Sequence, residues 1–208
     1  SYQDTIDRLY SYEHYDGAAY VEMNQVYMED DYCIKARRQF LKDTADMKKQ
    51  ECLIIDLRNN TGGDGTLIDQ WFLKYTGKAL LPNYSTLRIR PVWINSAKEL
   101  KECDAFFTEY GLEKSGKYYY CQTPGHQYLK NKSRQMFVLT SRRTGSAAEA
   151  MTDAVRNIEN AVVIGTNTGG VLTNMANYSM AMPYSGLYLQ FGESMQYFDN
   201  DYFTESYG

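Results

Sequence analysis

A chain of 208 residues with 43% hydrophobic and 23% charged residues is long enough and apolar enough to bury a full globular core. Its net charge of −4 argues against a nucleic-acid surface, because phosphate binding needs clustered Lys and Arg. No apolar run reaches the length needed to span a bilayer.

The polar, tyrosine-rich start carries a short helical pattern from Thr5 to Tyr12. Ala18 to Val26 then alternates as a strand does. Asp30 to Lys49 reads as an amphipathic helix, with Ile34, Phe40, Leu41, Ala45 and Met47 near helical spacing. Leu53 to Leu57 is a compact apolar strand that runs into a turn over residues 58–63. A helix follows from Thr66 to Tyr75. Leu87 to Ile94 predicts another strand, and the polar stretch 95–132 reads as an inserted flap of irregular or helical structure. Met136 to Thr140 is a third apolar strand, followed by a turn and a helix from Ser146 to Ile158. Ala161 to Gly165 is a fourth, and strands and loops continue through Ser179–Pro183 and Gly186–Phe191. Strands separated by helices imply parallel pairing, hence an α/β fold. One domain over residues 1–208, with 95–132 inserted, is the simplest organisation.

The four cysteines are Cys33, Cys52, Cys103 and Cys121. None forms a C-x-x-C pair, so neither a zinc site nor a redox motif is expected, and no cofactor is implied. Cys103 and Cys121 flank one polar segment and can pair in an exported protein. Free thiols are the plainer expectation.

Two glycine-rich turns leave the ends of apolar strands, where parallel α/β folds bind ligands. One is Asn60-Thr61-Gly62-Gly63; the other is Thr144-Gly145-Ser146-Ala147-Ala148-Glu149. The first lacks a dinucleotide or P-loop fingerprint. In the second, Ser146 opens a helix among small neighbours, where free N–H groups can stabilise an oxyanion. Ser146 with Glu149 three residues later is equally a capping box. The residues alone leave both readings open.

Four stretches together resemble the tail-specific, or C-terminal processing, serine peptidases and their tricorn-core relatives. They are Leu53–Gly63, Val138–Ser141, Gly145–Glu149 and Val163–Gly170, in family order. The resemblance covers most of residues 17–208. It implies a crotonase-like, ClpP-like α/β fold and peptide-bond hydrolysis through an acyl-enzyme. By position it makes Ser146 the nucleophile and the N–H groups of Ala147 and of Gly62 or Gly63 the oxyanion donors. Thr168, Gly169 and Gly170 would shape the substrate pocket. Asp56 and Arg58 would pin the first turn, and Glu149 would cap the helix. An extended peptide or protein chain is the implied partner. Relatives often carry a PDZ-type domain, and none is read in this stretch. Most relatives work outside the cytoplasm, so export is the expectation, with cytoplasmic tricorn-like relatives as the alternative.

One position departs from the processing-protease pattern. Val171 stands where that branch has its Lys base, so a Ser–Lys dyad is excluded there. The tricorn-like branch uses His and Glu instead. That resemblance implies His14 as general base, with His126 as the alternative, and Glu205 as the supporting acid. A relative that holds peptides without cutting them is the competing reading. A crotonase-like acyl-CoA enzyme fits less well, because the Gly145–Glu149 helix start follows the peptidase pattern.

Overall fold

The computed structural model describes residues 5, 8–25, 30–81, 84–89, 94, 96–109, 112–121, 127–131, 134–172 and 174–198. The chain divides into two compact units, one from residues within 1–80 and 126–172, the other from residues within 81–125 and 173–203.

The first unit is built on a five-stranded sheet. Its strands are β1 (Tyr10–Tyr15), β2 (Ala18–Met23), β3 (Cys52–Asp56), β7 (Gln135–Thr140) and β8 (Ala161–Gly165), side by side in that order. β1 pairs antiparallel with β2; the other pairings are parallel. Parallel neighbours need crossovers, and helices supply them. Helix α1 (Asp31–Met47) joins β2 to β3, α2 (Thr66–Thr76) follows β3, and α4 (Ala147–Arg156) joins β7 to β8.

Local chemistry sets the helix ends. Asp30 caps α1 by accepting the Cys33 N–H at 2.7 Å. Gly77, at φ 77°, stops α2 and donates its N–H to the Leu73 carbonyl at 2.8 Å. Alternate strand residues Val21, Met23, Leu53, Ile55, Met136 and Val138 are buried. They share one core with Phe40, Trp71, Phe72, Met151 and Val155 of the helices. Trp71 is fully buried, stacked on Tyr75 (5.2 Å between ring centres) and on Phe40 (6.2 Å). Losing that ring would cost about 3–5 kcal/mol.

The second unit is an antiparallel sheet in the order β5 (Glu113–Ser115), β6 (Tyr118–Cys121), β4 (Tyr84–Ile89), β10 (Tyr188–Phe198), β9 (Asn174–Ala181). It also holds helix α3 (Ala97–Glu109), whose Phe107 packs with Cys103 and Tyr119 in a small core. Arg88 lies over the Phe107 ring at 4.5 Å and pairs with the buried Glu193 at 3.5 Å.

One expectation changes and another is met in part. The start of the chain forms a strand from Tyr10, where a helix to Tyr12 was expected, because pairing with β2 outweighs local propensity. The region 95–132, expected to be irregular or helical, contains a helix and also a two-stranded hairpin that belongs to a sheet. Cys103 carries a free, buried thiol near the Tyr119 hydroxyl (3.7 Å); the Cys121 side chain lies outside the described residues. Among the described residues no helix is long and apolar enough to cross a membrane.

Candidate active site

The site forms where β3 and β7 end. The two strands are adjacent and parallel, so the turns that leave them start side by side. Beyond β3, the Asp56 carboxylate accepts the Arg58 guanidinium and the Arg58 N–H, and also the Tyr20 hydroxyl. Burial alone would raise the Asp56 pKa; the Arg58 and Tyr20 hydrogen bonds outweigh it and hold the carboxyl below its ordinary value. Burial and the bond to Asp56 push the Tyr20 phenol up to about 12. This clamp fixes the first residues of the turn, as the sequence suggested for Asp56 and Arg58.

Asn60 organises the next residues. It is fully buried. Its Nδ2 donates to the Met23 carbonyl at 3.0 Å, its Oδ1 accepts the Gly62 N–H at 2.9 Å, and its carbonyl accepts the Gly145 N–H at 3.0 Å. One side chain thus ties the end of β2 to the glycine turn, and its own backbone ties that turn to the serine turn. Thr144, also fully buried, adds a tie by donating its hydroxyl to the Leu57 carbonyl at 2.9 Å. Both residues were missed in the sequence. Their signal was weak: a polar residue in a glycine-rich turn, which local reading assigns to the turn itself.

These ties bring Gly62 against Ser146. A β-carbon on Gly62 would lie 2.7 Å from the Gly145 carbonyl oxygen, 2.7 Å from Ser146 Cβ and 3.1 Å from the Ala147 nitrogen. Gly62 also sits at φ 110°, where side chains are strained. Its N–H, however, is taken by Asn60. Of the two glycines expected as alternative donors, Gly62 therefore provides close approach, and Gly63, at φ 139°, remains the candidate donor.

Ser146 is half-buried at the head of α4. A plain N-cap is extended, as Asp30 is at φ −141°, ψ 170°. Ser146 instead adopts φ 50°, ψ −118°. For a non-glycine residue this conformation costs on the order of 1–3 kcal/mol and persists only where surrounding contacts enforce it. A strained serine on a strand–turn–helix junction is how other hydrolases project a nucleophilic hydroxyl. Ala147 follows it as the first residue of the helix, where backbone N–H groups lack intrahelical acceptors.

The segment after β8 closes one side. The Thr168 hydroxyl donates to Glu149 Oε1 at 2.7 Å, as does the Gly170 N–H at 2.7 Å. Gly169 donates its N–H to the Thr144 carbonyl at 2.7 Å. Thr168, Gly169 and Gly170 are thus brought to the start of α4.

His14 is not brought there. It pairs with Ala19, which pairs with Leu53, which pairs with Met136. That row lies near the start of the parallel strands, whereas Ser146 lies beyond their ends. Strand spacing and rise place His14 more than about 15 Å from the serine turn. Its Nε2 lies 3.0 Å from Asp46 Oδ2, at the end of α1. The role of His14 as base is accordingly corrected by register. His126 and Glu205 lie outside the described residues.

A serine in a strained conformation at a helix head lies against a glycine turn that leaves the neighbouring strand. The model of Peptidase family S41 matches residues 17–208, and the chain belongs to that family. Mature CPAF, in complex with lactacystin, is similar in structure: TM-score 0.61 at 14% identity, over 92% of this chain and 45% of that one. A candidate peptidase from Parabacteroides merdae ATCC 43184 gives 0.57 at 18% identity, over 98% and 59%. A candidate S41 protease from Bacteroides fragilis NCTC 9343 gives 0.53 at 20% identity, over 94% and 48%. At such identities the likeness concerns the fold. The chain spans about half the length of these proteins. No curated protein matches it.

Proposed function

We propose that this chain is the catalytic domain of a serine peptidase that cleaves peptide bonds through an acyl-enzyme on Ser146. The observation that carries the reading is the strained Ser146 pressed against the Gly62 turn. In the reaction, Ser146 Oγ bonds to the substrate carbonyl carbon while a base takes its proton. The oxyanion is met by the N–H groups of Ala147 and Gly63, aided by the positive end of α4. The base returns its proton to the leaving amine as the C–N bond breaks. Water then hydrolyses the ester by the same route.

With His14 turned toward Asp46, His126 is the remaining imidazole of the chain, which has two His. We assign it the base and Glu205 the supporting carboxylate, a Ser-His-Glu set of the tricorn type. The second reading, a peptide-binding relative without turnover, draws on Val171 at the position of the family's Lys and on the distance of His14.

A fluorophosphonate probe separates them. The peptidase reading expects labelling on Ser146 that vanishes in Ser146→Ala and falls at least a hundredfold in His126→Ala. A folded sample that resists labelling supports the binder and overturns the peptidase.

A further inference from the structure

Glu149 is buried in the first turn of α4, and its carboxylate gathers four donors. Oε2 accepts the N–H of Ser146 at 2.7 Å and of Val171 at 3.0 Å. Oε1 accepts the Thr168 hydroxyl and the Gly170 N–H, both at 2.7 Å. A helix cap needs only the first of these bonds. The other three come from the segment that follows β8, which reaches the helix from a different connection. That segment packs closely here: a β-carbon on Gly169 would lie 3.3 Å from the Thr144 carbonyl oxygen and 3.4 Å from that of Arg142.

We propose that Glu149 is a positioning residue that locks the amide of Ser146 in its left-handed conformation and fastens residues 168–171 beside it. One carboxylate thereby couples the attitude of the nucleophile to the wall of the pocket. The inference rests on the reading of Ser146 as nucleophile.

The chemistry of the acceptor makes this testable. A carboxylate accepts at both oxygens; an amide of the same shape accepts at one and donates at the other. Glutamine serves a capping box as well as glutamate does. Glu149→Gln therefore spares a cap but sets an NH2 group against two N–H or O–H donors of the cluster.

The test uses the 208-residue chain with Glu149→Gln, Thr168→Val and Ser146→Ala. It reads thermal unfolding, the concentration dependence of fluorophosphonate labelling, and amide hydrogen exchange over residues 168–171. We expect folded Glu149→Gln to lose at least tenfold in the limiting labelling rate. Its exchange at residues 170–171 should quicken by at least tenfold. Thr168→Val, which removes one of the four donors, should quicken exchange over residues 168–171 at least threefold. A folded Glu149→Gln that is labelled and exchanges like the parent overturns the proposal. If that variant does not fold, Thr168→Val decides: unchanged exchange over 168–171 overturns it. An unlabelled parent defeats the nucleophile reading and this proposal together, whereas a labelled parent with an unaffected variant defeats this proposal alone.

Discussion

Gly62 and Ser146 occupy adjoining space so completely that one added methyl group on the glycine would sit 2.7 Å from the serine Cβ. Two turns from strands far apart in sequence are thereby held at contact distance. The reach between a hydroxyl and the backbone donors opposite it is set by the absence of that one carbon.

Gly62→Ala is expected to destabilise the chain by about 2–4 kcal/mol, through both the clash and the φ of 110°. It should also reduce probe labelling of Ser146 more than tenfold. Gly65 provides the control. It has open space around its Cβ position and a φ of −65°, so Gly65→Ala should stay within about 1 kcal/mol of the parent. Chemical denaturation of the two variants checks the contrast.

Ser146→Gly should raise stability by about 1 kcal/mol while abolishing labelling. Glycine relaxes the strain at φ 50° but gives back part of the gain as chain entropy. Ser146→Ala keeps the strain and should show no such gain. Equal unfolding midpoints for the two would mean that the backbone at this position stores no strain.

His14→Ala is expected to leave the labelling rate within twofold of the parent. The imidazole and its Asp46 partner are 51% and 40% exposed, so the stability change should also stay within about 0.5 kcal/mol. A tenfold fall in labelling would contradict the placement of His14 at the start of the parallel strands.

Asp56 should make the fold acid-sensitive. Its folded pKa lies below the ordinary carboxylate value, so its contribution is present above about pH 4 and disappears as pH falls through the folded value. Unfolding midpoints measured from pH 5 down to pH 2 should therefore drop less steeply in Asp56→Asn than in the parent. Parallel curves would show that the clamp on Arg58 contributes nothing to this dependence.

Much of the first unit was legible because its signals are local. The apolar run at Leu53–Leu57 and the glycine turn after it read directly as strand and turn. The strand β1 was not legible, because Tyr10, Tyr12 and His14 become one face only once β2 lies beside them. The hairpin of β5 and β6 was hidden in the same way: Glu113, Lys114 and Ser115 are all exposed and carry no apolar alternation. In the site, the meeting of the serine turn and the glycine turn was legible, since each leaves the end of an apolar strand. The misplacement of His14 had a readable cause. A residue just before β2 stands at the beginning of that strand, while a site built on strand ends lies at the other limit of the sheet. The choice between Gly62 and Gly63 needed the Asn60 side chain, whose direction no sequence pattern gives.

The pairing of β3 with β7 has a kinetic consequence. It joins partners such as Cys52 and Gln135, which puts about eighty residues inside the loop that must close before the two site turns can meet. Ribosomal synthesis delivers β3 and its glycine bend long before β7. The nascent chain must hold β3 with one edge unpaired while the intervening residues are made. The meeting of the serine turn and the glycine turn should thus be among the slower events of folding.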